Sequence, residues 1–176
     1  ALPDPPLFGR EPFGHEVTGS PTSTSHDDVL HDWNTQASSQ WDGFRHVRHP
    51  SPDLEPGTGH YGGVPDAEHG IHHWAQRGIV GRAVLADVAR YREALGRPLR
   101  CDVADPIEPH EIGECLDAQG TELRDGDILL LRTAWVGWYE QQPAEVRERL
   151  ADPHHLVAPG LRPGDDMVGT LWDLHI

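Results

Sequence analysis

In Arg77-Gly78-Ile79-Val80-Gly81-Arg82-Ala83-Val84-Leu85-Ala86-Asp87-Val88 a helical pattern gives way to a strand pattern at Gly78. Before it, Ile71, Trp74 and Ala75 fall at i, i+3 and i+4, so 66 to 77 reads as a helix. Gly78 is its stop, because glycine enters the left-handed conformation without a Cβ clash. After it, Ile79 to Val88 reads as a buried strand whose bulk comes from Val80, Val84, Leu85 and Val88. Asp87 interrupts that apolar run. It is either a group supporting a ligand at a strand end, where open sheets meet their ligands, or the cap of a turn.

Downstream, Pro109 suits the first turn of a helix running to Gln119, with Glu108 before it and Gly120 as its stop. Ile112, Cys115 and Leu116 share one face of that helix, which makes Cys115 a core residue rather than a nucleophile. Arg124 to Asp127 is a turn, and Ile128 to Arg132 a second buried strand. Pro143 opens a charged helix to about Leu150, and Pro163 another toward Leu174.

Upstream, residues 1 to 25 form a proline-rich arm, with prolines at 3, 5, 6 and 12 that sustain neither a helix nor a central strand. Phe13 to Thr18 is a candidate edge strand, and Gly19 to Ser25 a polar loop. The remaining domain spans 26 to 176. Val29 to Trp33 alternates briefly and delivers the chain to its chemistry. Between His49 and Gly63, Pro50, Pro52, Pro56 and four glycines mark a long loop, expected to act as a lid. His60 and Tyr61 sit on it as candidate substrate contacts, with exposed loop residues as the equal alternative.

The chemistry concentrates in Asn34-Thr35-Gln36-Ala37-Ser38-Ser39-Gln40-Trp41-Asp42-Gly43-Phe44-Arg45-His46. Gln36, Gln40, Asp42 and His46 are spaced by four, two and four. Alternate and every-fourth side chains return to one side of an irregular loop, where they can gather round a cation. The plain alternative is a polar surface loop, since Asp-Gly is ordinary turn chemistry. Trp41 and Phe44 interleave with these residues, and aromatics of that size suggest a packed, substrate-facing pocket wall.

This stretch resembles the metal-dependent cyclase family, which includes bacterial kynurenine formamidase and isatin hydrolase, with its pattern His-x-x-x-His-x-Asp-x-x-x-His. Gln36 and Gln40 stand where the two ligand histidines fall, Asp42 matches the ligand aspartate, and His46 the proton-handling histidine. The resemblance extends through Gly70-Ile71-His72-His73-Trp74, Arg77 to Val88, the strand from Gly126 to Trp135, and Pro159-Gly160-Leu161. It implies an α/β chain with a swivelling β/β/α fold, a mixed sheet with packed helices, and a homodimer or larger homo-oligomer. Family members normally continue well beyond the position of Ile176, so the resemblance implies a site completed by further residues.

A metal-dependent hydrolase or cyclase acting on an amide, lactam or lactone is therefore expected, with Gln36, Gln40 and Asp42 as metal ligands and His46 as acid and base. The divalent cation is Mn²⁺ or Zn²⁺, and amide oxygens in place of imidazoles favour the harder ion. A catalytically silent small-molecule-binding protein on the same scaffold is the alternative. With 14 Lys and Arg against 29 Asp and Glu, a net charge of -15 opposes binding to nucleic acid or anionic membrane. Only Cys101 and Cys115 are present, without paired spacing, and no apolar run approaches the ~20 residues of a membrane span. The expected setting is the cytoplasm and the expected partner a small molecule.

Overall fold

The computed structural model describes residues 4–37, 40–49, 51, 53–55 and 58–176. They form two compact units, Ala1–Ala37 with Gly81–Ile176, and Ser38–Val80. In order, the elements are β1 (Gly14–Thr18), β2 (Asp27–His31), α1 (Ile71–Arg77), β3 (Ala83–Ala86), α2 (Val88–Ala94), β4 (Pro106–Ile107), α3 (Pro109–Gln119), β5 (Ile128–Leu131), α4 (Trp135–Glu140), α5 (Ala144–Ala151), β6 (Gly160–Leu161) and α6 (Asp165–Asp173).

In the larger unit the expected strands near Phe13–Thr18 and Val29–Trp33 pair as the antiparallel hairpin β1-β2, from Gly14 opposite His31 to Thr18 opposite Asp27. Cross-strand pairs hold it, His15 to Asp28 at 2.7 Å and His31 to Glu16 at 3.2 Å. Phe13 meets Trp33 edge to face at 4.7 Å between ring centres. The hairpin joins residues on both sides of position 25.

β3 and β5 run parallel, Ala83 beside Ile128 through Ala86 beside Leu131. β4 and β6 form a separate two-residue parallel pair. The described residues thus build three two-stranded sheets in place of one mixed sheet. The strand expected over Ile79–Val88 contracts to four residues. Val80 is 99% exposed, and within β3 only Val84 and Ala86 turn inward while Leu85 is 46% exposed. That alternation belongs to a strand covered on one face, not two. Asp87 ends it as a cap, accepting a hydrogen bond from the Arg90 N–H at 3.1 Å, and Val88 begins α2.

α3 follows its sequence closely. Pro109 is in its first turn, Glu108 and Glu111 form a reciprocal capping box, and Gly120 ends it at φ 63°. Its buried Ile112, Cys115 and Leu116 pack with Val84, Ala86, Val88, Ile107 and Met167 as the core. Each such aliphatic burial contributes about 1.5–3 kcal/mol.

A buried ion network joins α2 to α3. Glu111 is fully buried and accepts from Arg92, its Nε at 2.8 Å, and from the Glu108 N–H at 2.9 Å. Arg97 approaches Glu111 to 3.2 Å, and Arg92 reaches Asp105 at 3.0 Å. Burial pushes the Glu111 carboxyl up, but the Arg92 hydrogen bonds, the backbone N–H and the two guanidinium charges hold it below the ordinary glutamate value.

The smaller unit holds 3-10 turns at Tyr61–Gly63 and Asp66–Glu68, then α1. The helix expected over 66–77 is therefore broken. Gly70 is extended at φ -67° and ψ 144° and starts α1 afresh, while Gly78 at φ 74° stops it as expected, donating to Trp74 O at 2.7 Å.

Candidate functional site

Gln36 belongs to the larger unit, in a 3-10 turn at Thr35–Ala37. Its backbone N–H bonds to Asn34 Oδ1 at 2.9 Å, and its carbonyl accepts from Arg10 Nη1 at 2.7 Å. Gln40, Asp42 and His46 belong to the smaller unit. Ser38 and Ser39, between them, lie outside the described residues.

Within the smaller unit the sequence spacing does bring side chains together. The loop turns at Gly43, where the His46 N–H bonds to Gly43 O at 2.9 Å, and this returns His46 toward Asp42. His46 Nε2 stands 3.8 Å from Asp42 Oδ1, close enough for an ion pair and too long for a hydrogen bond. Gln40 donates from Nε2 to the same Asp42 oxygen. Side chains of both Asp42 and His46 keep substantial exposure, 60% and 38%, so the group faces outward.

The expected substrate contacts separate into two sets. Phe44 stacks on Tyr61 at 4.3 Å between ring centres, and Trp74 and His69 meet Phe44 edge to face at 5.5 and 6.5 Å. His60 joins through His69 at 6.3 Å. Trp41, expected in the same wall, is 62% exposed and has no ring partner among the described residues. Four of the lid residues, Pro50, Pro52, Pro56 and Gly57, lie outside the described residues. Its described ends are tied by His49 N–H to Gly59 O at 2.9 Å.

Two members of the aromatic cluster, His69 and Trp74, were not among the candidate site residues. Trp74 belongs to the apolar i, i+3, i+4 pattern of the helix expected over 66 to 77, and His69 carries no signal beyond its nearness to His72 and His73. Both ring nitrogens of His69 are buried with no hydrogen-bond partner among the described residues. Buried imidazoles are ordinarily paired, so this ring has unspent hydrogen-bonding capacity inside the cluster.

As a cation site, the loop offers one carboxylate, one carboxamide and one imidazole, and amide orientation is exchangeable, so Gln40 can present oxygen as readily as nitrogen. Two hard oxygens with one imidazole fit a divalent cation such as Mn²⁺ better than Zn²⁺. No group of three or more His, Cys, Asp or Glu among the described residues is arranged to hold a metal without the glutamines.

Comparison with known proteins bears on the whole chain. The family model described as "Putative cyclase" matches residues 6–172. A crystal structure of a novel cyclase superposes with a TM-score of 0.71 at 24% identity, over 97% of this chain. The chain spans 59% of that protein's length. No curated protein matches. Among the described residues no helix is long and apolar enough to cross a membrane. With the family pattern matched across nearly its full length, the chain belongs to the cyclase family.

Proposed function

We propose that the chain is a metal-dependent hydrolase or cyclase acting on an amide, lactam or lactone carbonyl of a small molecule. The observation that supports this is the convergence of Gln40, His46 and Asp42 on one carboxylate oxygen. Asp42 and Gln40 would hold the cation; Gln36, the third expected ligand, belongs to the larger unit. A bound divalent cation lowers the pKa of its water toward ~7 and polarises a carbonyl.

The chain's own residues supply the rest. Asp42 supplies the negative charge that attracts the cation, and Gln40 fixes one of its oxygens by hydrogen bonding. His46 would move the proton at Nε2, the nitrogen turned to Asp42 at 3.8 Å. Phe44 and Tyr61 provide a flat apolar surface for the substrate body, and His69 can hydrogen-bond to it through nitrogens that have no partner among the described residues.

A second reading has its own observation. As oriented, Gln40 turns its N–H, not its oxygen, to Asp42, which is a loop satisfying itself. That arrangement suits a binding protein without catalysis. Metal content separates the two. Purified protein equilibrated with Mn²⁺ should retain about one ion per chain by mass spectrometry, and Asp42→Asn should retain far less. Equal content in both proteins would remove the hydrolase reading.

A further inference from the structure

We propose that the cavity at the carboxyl ends of β3 and β5 binds a small carboxylic acid with an apolar body. The cavity measures about 740 Å³, and its lining includes Leu85, Leu131, Arg132, Thr133, Trp135 and Trp138. It lies wholly in the larger unit, contains neither Asp42 nor His46, and is independent of the function proposed above.

Three features converge on that ligand chemistry. First, Arg132 lines the cavity and its side chain is half exposed. One of its nitrogens, Nη1, is held by Asp87 Oδ1 at 2.7 Å. Its remaining N–H groups meet no acceptor among the described residues, so the side chain is braced at one end and open at the other. A braced guanidinium loses little freedom on taking a carboxylate, which it matches with two parallel hydrogen bonds. Because Asp87 already offsets part of its charge, a single carboxylate suits it better than a dianion.

Second, the walls are apolar and aromatic. Trp135 and Trp138 lie 6.2 Å apart between ring centres, and Trp135 is fixed by its indole N–H on Val157 O at 3.0 Å. Leu85 and Leu131 contribute aliphatic surface. An apolar lining with one cation and the Thr133 hydroxyl is the makeup of a small-molecule pocket.

Third, Ala134 lines the same cavity in the left-handed conformation, φ 61° and ψ 9°. An alanine there is strained, and such strain concentrates where side chains are being aimed. Here it turns the chain from β5 into α4, bringing Arg132 and the two tryptophans to one opening. The carboxyl ends of parallel strands are also where open α/β sheets meet their ligands.

Calorimetric titration of the full chain with 2-naphthoate and its neutral counterpart 2-naphthamide tests the proposal. Wild type should bind the acid saturably and the amide about tenfold more weakly, since a hydrogen bond to a charged group is lost. Arg132→Gln removes the charge and should abolish the preference for the acid. Trp138→Leu leaves the ion pair intact and should weaken both ligands alike. No saturation by folded wild type, equal binding of acid and amide, or unchanged affinity in Trp138→Leu would each overturn the proposal. The last result decides alone if circular dichroism shows Arg132→Gln to be unfolded.

Discussion

Glu111 shows how one residue can carry both an element and a core. Its carboxylate caps α3 through the Glu108 N–H and also neutralises Arg92, itself only 7% exposed. Breaking a buried pair by removing one partner typically costs about 3–5 kcal/mol, because the other charge stays buried. Glu111→Gln should therefore destabilise the protein strongly in denaturant melts at neutral pH. The effect carries a pH signature as well. In the unfolded chain the carboxyl titrates near ~4.3, while in the fold it lies lower, so the folded state holds fewer protons. The contribution is complete above about pH 4.3 and drains away as pH falls toward the folded value. Wild type should lose stability across that acid range more steeply than Glu111→Gln, and parallel curves would show that the network is not worth what its geometry suggests. None of this could be read from the sequence, where Arg92 and Glu111 are 19 positions apart and look like surface charges. Asp42 and His46 could be read, because one turn at Gly43 is enough to bring positions four apart together.

At the scale of an element, legibility followed how local the determining forces are. α3 was readable from proline, capping box and glycine, all of which act within a turn of the chain. The Ile79–Val88 run yields a strand of only Ala83–Ala86, because hydrophobicity alone does not say which apolar residues find a partner. Asp87 cut it short, and α2, beginning immediately with Val88, was absorbed into the apparent run. The sequence does not mark α4, because Trp135, Trp138 and Tyr139 carry aromatic bulk without a clear boundary signal. The outer edge of β3 carries a further device. Ile128 N–H bonds to Arg82 O and Arg132 N–H to Ala86 O, so the even-numbered residues face β5 and Leu85 and Asp87 face away. On that outer side, the Gln119 carboxamide donates to Leu85 O at 2.7 Å and accepts from Asp87 N at 2.8 Å. One side-chain amide thus stands in for the peptide of a parallel neighbour strand and protects the edge. Gln119→Ala should cost about 1–3 kcal/mol for two hydrogen bonds and raise self-association, read by light scattering at increasing concentration. A variant as stable and as monodisperse as wild type would show that water replaces the amide without consequence.

For the whole molecule, the division at Ala37 and Ser38 was invisible in sequence because it falls inside the motif, where composition does not change. It puts Gln36 in one unit and Gln40, Asp42 and His46 in the other. The units differ in what sustains them. Among the described residues, every member of the buried apolar core belongs to the larger unit, between Val84 and Met167. Among its described residues the smaller unit has one seven-residue helix, 3-10 turns and an aromatic cluster whose Phe44 and Tyr61 are 42% and 64% exposed. Segments with few buried apolar contacts open locally well below the global unfolding free energy. Native-state hydrogen exchange should therefore be at least about a hundredfold faster for the Gly78 amide than for amides in the middle of α3, a difference of about 2.8 kcal/mol in opening free energy. Added Mn²⁺ gives the same experiment a functional arm. An ion held by the 40–46 loop stabilises only the states in which that loop is closed, so protection should rise there while α3 stays unchanged. Uniform exchange across both units would mean that the chain unfolds as one cooperative body, and protection rising in α3 alone would place the ion elsewhere.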